Sequence, residues 1–124
     1  MEPLPELNFR GEVPLPVAVN ETFARQFSAA LADKAHLVRR SSSSLAPRFH
    51  GDAIGIELVA ADSEYTTVTV LLDPPRRMLF VGIEGDIKSP AADRIATEAN
   101  QLFSEMFPGK KLESFTRRQG MLGP

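Results

Sequence analysis

The chain has 124 residues, the length of one domain with a substantial core and too short for two. Apolar residues make up 43% and charged residues 24%, as in ordinary globular proteins, and a net charge of −2 gives no global field that would recruit nucleic acid or an anionic membrane. The absence of cysteine excludes disulfides, thiol nucleophiles and cysteine-based zinc sites.

The start of the chain does not resemble a signal peptide, because residues 1–6 have neither a basic start nor an apolar core. No stretch approaches the roughly 18 apolar residues that span a bilayer. We therefore expect no membrane span and a cytoplasmic location, with an exported mature domain as the alternative. No phosphate-binding loop or dinucleotide fingerprint is present, and we expect no cofactor.

Residues 1–19 are rich in proline, with Pro3, Pro5, Pro14 and Pro16. Each proline fixes φ and removes a backbone donor, so a helix is excluded and a central strand is disfavoured. The segment is predicted to be an extended arm in which residues 16–19 pair at a sheet edge.

A first amphipathic helix is predicted to begin after the N-cap Asn20 and to run to about Val38. Phe23, Phe27 and Leu31 recur at helical spacing and form one apolar stripe. Such a stripe is far more often part of the core than a partner-binding surface.

The connection after this helix contains two arginines followed by four serines at residues 41–44. A serine run is most simply a flexible connector, although a long connection also favours a functional role. Because no aromatic residues alternate with the basic pairs of this chain, nucleic acid is not the expected partner. Four arginines remain candidate anion contacts: Arg39, Arg40, Arg117 and Arg118.

Residues 53–84 are predicted to form three consecutive strands joined by two short turns. Apolar residues alternate with other residues in all three strands, and Ile54, Val68 and Val81 represent one well-buried face. The turns at residues 61–64 and 73–77 are too short for a crossover, so the sheet is expected to be antiparallel.

The opposite face of this meander is half apolar, more than contact with solvent alone requires. A face of this kind is usually covered by the chain's own arm or helix, by a second subunit or by a ligand. The candidate binding residues on it are Tyr65, Thr67, Thr69, Leu71 and Phe80.

A second helix is predicted to begin with Ser89 as N-cap and Pro90 at the first helical position. Its apolar stripe includes Ile95 and Phe103, and residues 107–109 end it. In the basic tail that follows, Leu112 and Phe115 are expected to form a short edge strand or to anchor the tail against the core.

The predicted fold is therefore α+β, a two-layer sandwich of a three-stranded antiparallel meander and two amphipathic helices, with room for a fourth edge strand. Its order is arm-α-β-β-β-α-tail. The predicted organisation is an arm at residues 1–19, a single domain at residues 20–107 and a basic, partly flexible tail at residues 108–124.

The sequence contains no convincing catalytic group or metal site. His50 and Asp52 are near neighbours and could act as a base and its orienter, but no nucleophile has a recognisable surround. The carboxylate pair Asp62 and Glu64 and the pair Glu84 and Asp86 match no calcium-loop pattern.

These observations favour a small non-catalytic binding or adaptor domain. We expect it to bind another protein, or a second copy of itself, through the second face of the sheet. The first alternative is a small-molecule-binding domain with a pocket over the Tyr65 and Phe80 face. The second alternative is a small hydrolase or transferase that uses His50 and Asp52.

Overall fold

The computed structural model describes residues 5–39 and 47–116. Within them, two helices and a seven-stranded antiparallel sheet form one α+β domain, which confirms the predicted fold class. Neither helix is long and apolar enough to cross a membrane. The elements are β1 (Glu6–Glu12), α1 (Glu21–Ala35), β2 (Leu37–Arg39), β3 (Arg48–His50), β4 (Ala53–Ala60), β5 (Ser63–Asp73), β6 (Met78–Gly85), α2 (Pro90–Met106) and β7 (Glu113–Phe115).

The predicted meander is the centre of this sheet. Strands β4, β5 and β6 pair in sequence, and Ile56, Val70 and Val81 lie opposite one another across the three strands. The full strand order is β2-β4-β5-β6-β1-β7, and β3 pairs with the same edge of β4 as β2. The sheet is therefore six strands across, twice the width of the three-stranded sheet that the sequence predicted.

The largest difference from the predicted element order is at the N-terminus. The supposed arm contributes β1, which pairs with β6 on one side and with β7 on the other. Pro5 and Pro14 flank this strand without interrupting its seven residues, so every backbone donor that the ladder needs is present. Residues 16–19, which were expected to pair at a sheet edge, form no strand.

The first helix begins as predicted, with the Asn20 side chain accepting a hydrogen bond from the amide of Phe23 at 3.0 Å. It ends at Ala35 rather than near Val38. His36 adopts a left-handed conformation with φ of 57° and its amide bonds to Ala32, which closes the last turn. The chain then enters β2, and a second short strand, β3, lies where a loop was expected.

The second helix matches its prediction closely. Ser89 caps the amide of Ala92 at 3.2 Å, and the helix ends at Met106. Ile95, Ala99, Leu102 and Phe103 are buried, whereas Met106 at the end of the stripe is 37% exposed. The predicted tail strand is also present, because β7 pairs with β1.

The core lies between the two helices and one face of the sheet. The inward residues of the meander, including Ile56, Val70 and Val81, join the apolar stripes of α1 and α2 in one buried cluster. The helices therefore share the face of the sheet that the alternation pattern predicted. The other face of the sheet carries neither helix.

An ion pair links the turn between β4 and β5 to α2. Arg94 on α2 donates two hydrogen bonds to the Asp62 carboxylate, at 2.8 and 3.1 Å, and a third to the carbonyl of Ala35 at 2.9 Å. The bonds from Arg94 hold the pKa of Asp62 below its ordinary value of 3.8.

This lowered pKa predicts a pH-dependent contribution to stability. The pair stabilises the folded state at pH values above the unfolded-state pKa, and the contribution disappears as the pH falls through the lower folded-state pKa. We expect Asp62→Asn to melt at a lower temperature than wild type near neutral pH, and the gap to close as the pH falls from neutral to below 3.8. Thermal melts across this range check the result, and a gap that is constant with pH would contradict it.

Candidate functional site

A cleft of about 680 Å³ lies over the face of the sheet that points away from the helices. Strands β4, β5, β6 and β1 form its floor, and β3 with the turn after it forms one rim. Its lining residues are Glu6, Asn8, Arg48, His50, Gly51, Ala53, Gly55, Glu57, Thr69, Leu71, Phe80, Gly82, Ile83 and Glu84.

The strand register places six of these residues in two rows that cross the sheet. In the first row, Leu71 on β5 lies between Gly55 on β4 and Phe80 on β6. In the second row, Gly82 on β6 lies between Thr69 on β5 and Asn8 on β1. Residues directly opposite one another in an antiparallel pair point to the same face, so both rows face the cleft.

Two glycines lie in the floor of the cleft. Gly55 and Gly82 are interior positions of strands, where glycine weakens a sheet by roughly 0.5–1 kcal/mol and often marks the close approach of a ligand or backbone. A Cβ atom at Gly82 would lie 3.2 Å from the Asn8 side chain, and one at Gly55 would lie 3.3 Å from Leu71. Any larger residue at either position would crowd the floor of the cleft.

The first rim of the cleft is charged. Arg48 on β3 lies 3.7 Å from the carboxylate of Glu57 on β4, and the side chain of Arg48 is 75% exposed. An ion pair this exposed contributes little to stability, so Arg48 is free to reorient at low cost. His50 is exposed at the end of the same strand.

An aromatic cluster lies towards the β7 edge of the sheet. The Phe115 ring on β7 meets the Phe80 ring edge-on, with centroids 5.8 Å apart. The Arg10 guanidinium lies over Phe115, 5.1 Å from its centroid. These contacts leave Phe80 only 5% exposed and fix the apolar end of the cleft.

The polar end of the cleft is acidic. Glu6 on β1 and Glu84 on β6 lie directly opposite each other. Asn8, the next residue along β1 that points to this face, is 8% exposed. Its carboxamide makes no hydrogen bond with any residue in the described ranges 5–39 and 47–116. Because Asn8 lines the cleft, its carboxamide is available as a hydrogen-bond partner for a ligand group.

The structure brings together three of the five predicted binding residues. Thr69, Leu71 and Phe80 all line the cleft. Thr67 lies on the same face, opposite the lining residue Glu84, but does not line the cleft itself, and Tyr65 lies near the start of β5 with 75% of its surface exposed. The cleft therefore lies nearer Phe80 than Tyr65.

The other candidate residues do not converge on the cleft. Arg39 lies opposite Leu58, whose side chain is in the core, so it points to the helical side of the sheet. Arg40, Arg117 and Arg118 lie outside the described residues, as do the serines at 41–44. His50 and Asp52 are both exposed, and no hydrogen bond joins them among the residues that the structure describes. No group of three potential metal ligands occurs in that part of the chain.

Sequence reasoning missed the residues that give the cleft its shape and polarity. Gly55 and Gly82 carried a usable signal, because a glycine inside a strand pattern marks a special position. Glu6 and Asn8 were missed because β1 was interpreted as an arm, although Leu7 and Phe9 alternate with them. Arg48 carried no signal, since its strand has only three residues.

Comparison with known proteins assigns the chain to no family, because no protein-family model and no curated protein matches it significantly.

Proposed function

We propose that this protein is a non-catalytic domain that binds a small molecule in the cleft over the open face of its sheet. The observation that carries the proposal is the glycine floor. Two interior strand positions, Gly55 and Gly82, lack side chains on the one face of the sheet that carries no helix. Glycine is unfavourable at such positions in a sheet, so a role in admitting a ligand accounts for both.

The size and chemistry of the cleft fit this role. A volume of about 680 Å³ falls within the roughly 300–1,000 Å³ typical of small-molecule sites. Its lining combines an apolar end at Leu71 and Phe80 with a few polar groups, among them Thr69 and Asn8. This combination of apolar surface with a few placed polar groups is the usual composition of such sites.

A fragment-binding experiment with matched variants tests the proposal. Thr69→Trp places an indole at the centre of the cleft, and Thr97→Trp makes the same change at an exposed position on α2. A library of small organic fragments is screened by ligand-observed NMR against wild type and both variants. We expect hits with affinities of about millimolar, as is usual for molecules of this size, to bind wild type and Thr97→Trp equally.

The same hits should be lost with Thr69→Trp, provided that circular dichroism shows that this variant is folded. Hits that bind all three proteins equally would place binding elsewhere and contradict the proposal. A screen without hits would also count against it, because small-molecule sites of this volume normally bind some fragments.

Protein binding through the same face is our second proposal. It is favoured by exposed apolar side chains beyond the lining of the cleft. Tyr65 is 75% exposed and Val38, which lies opposite Val59, is 47% exposed. A folded partner would contact these residues, whereas a small ligand in the cleft would not. Tyr65→Ala should therefore weaken partner binding without changing the affinity of any fragment.

A further inference from the structure

We propose that the ligand of this cleft is a small organic cation, an amine with an apolar body, whose ammonium group is bound between Glu84 and Asn8. This inference rests on the proposed function, and it adds the chemical class of the ligand. It is carried by the Asn8 carboxamide, which makes no hydrogen bond within residues 5–39 and 47–116, and by the nearby Glu84 carboxylate, both at the edge of the space over Gly82.

Asn8 identifies the position of the polar ligand group. Its side chain lies over Gly82, within 3.2 Å of the point where a Cβ atom would stand. The residue is 8% exposed, lines the cleft and makes no hydrogen bond within residues 5–39 and 47–116. Its carboxamide oxygen is therefore available to accept a hydrogen bond from a ligand N–H group.

Glu84 identifies the charge of that group. It follows Gly82 by two residues on β6, so it is a diagonal neighbour of Asn8, at a distance of about 7–8 Å between backbones. Its carboxylate forms no ion pair in the described part of the chain. Glu6 lies directly opposite Glu84 in the β1–β6 register. An ammonium between Glu84 and Asn8 would have acceptors on both sides.

The basic groups of the cleft are too far away to change this assignment. Arg48 is separated from Glu84 by three interstrand spacings and four residues along the strand, which amounts to about 20 Å between their backbones. Arg48 is also paired with Glu57. His50 lies one step further along the same rim. A compact ligand bound at Glu84 therefore does not reach either group.

The apolar body of the ligand has one direction to extend. Phe80 precedes Gly82 by two residues on β6. It lies opposite Leu71 on β5, which in turn lies opposite Gly55 on β4. An alkyl or aryl group there would contact Leu71 and the edge of Phe80, while its ammonium remains at Glu84. Phenylalkylamines have this shape.

Calorimetry with three matched probes tests the inference. The probes are 4-phenylbutylamine, 4-phenylbutanol and 4-phenylbutanoate, which share one apolar body and differ in the charge of the terminal group. The proteins are wild type, Glu84→Gln, Asn8→Ala and Asp33→Asn, in which the last removes an exposed carboxylate from α1 on the other side of the sheet.

We expect wild type and Asp33→Asn to bind the amine at least about tenfold more tightly than the alcohol, as a charge-assisted hydrogen bond provides. The carboxylate should bind most weakly. Glu84→Gln should remove the preference for the amine and leave the affinity for the alcohol within about twofold. Asn8→Ala should weaken binding of the amine by about threefold to tenfold.

Equal or tighter binding of the alcohol or the carboxylate to wild type would overturn the cationic ligand, and so would a preference for the amine that survives Glu84→Gln. In either case, if Thr69→Trp abolishes the binding of the probe, the cleft itself would still be a ligand site. If none of the three probes binds, the inference is overturned, and the fragment screen decides separately whether the cleft binds other molecules.

Discussion

Val70→Asp will unfold the domain. Val70 is fully buried at the centre of β5, between Ile56 on β4 and Val81 on β6, and its side chain belongs to the core under the two helices. A carboxylate there has no partner and no access to water. Its desolvation costs several kcal/mol, which is a large part of the roughly 5–15 kcal/mol by which domains are stable. Circular dichroism and thermal melts will show the loss of the cooperative transition.

Tyr65→Asp is the matched control for this effect. It introduces the same side chain on the same strand, but at a position that is 75% exposed. The aspartate remains in water, and substitutions at such positions usually change stability by about 0.5 kcal/mol or less. If Val70→Asp melted like Tyr65→Asp, the helical face of the sheet would not be the core.

Phe103→Ala is expected to destabilise the domain by about 3–5 kcal/mol, the usual cost of truncating a buried phenylalanine. Phe103 on α2 is fully buried, and its ring meets that of Phe107 edge-on at 5.1 Å. The tip of the ring rests against β1 at Gly11, where a Cβ atom would lie 2.7 Å from Cζ. Alanine therefore leaves a cavity between α2 and β1. Gly11 has no side chain that could fill this cavity from β1.

Urea denaturation will give the change in the free energy of unfolding for this variant. Met106→Ala is the control, because Met106 lies on the same helix but is 37% exposed and should lose less than about 1 kcal/mol. A similar loss for both variants would mean that α2 packs on the sheet through a different face from the one seen here.

The parts of the fold that the sequence predicted well are those with strong local patterns. The meander was visible because Ile56, Val70 and Val81 recur in strands of eight or more residues with period-two alternation. The second helix was visible because Ser89 and Pro90 mark its start. In both cases the local preference and the tertiary environment agree, so the sequence alone is sufficient.

The strands that the sequence did not predict depend on pairing over long distances. β1 is defined by β6, more than sixty residues away in the chain, and its proline-rich flanks concealed it. β2 and β3 have three residues each, which is too short for a period to be recognised, and they exist because β4 offers an edge. The same limit applies to the cleft, since Asn8 and Gly82 become neighbours only through the β1–β6 register. The division of the chain at residues 19 and 107 stays a prediction.

The most direct test of the cleft as a ligand site is to map the binding of the tightest fragments by amide chemical shifts. The protein is labelled with ¹⁵N and titrated with each fragment. We predict that the largest shifts fall on the amides of Thr69, Phe80 and Gly82, which lie on the two central strands of the cleft floor, while those of α1 and α2 remain unchanged. Saturable shifts centred on the helices, or none on these strands, would contradict the account.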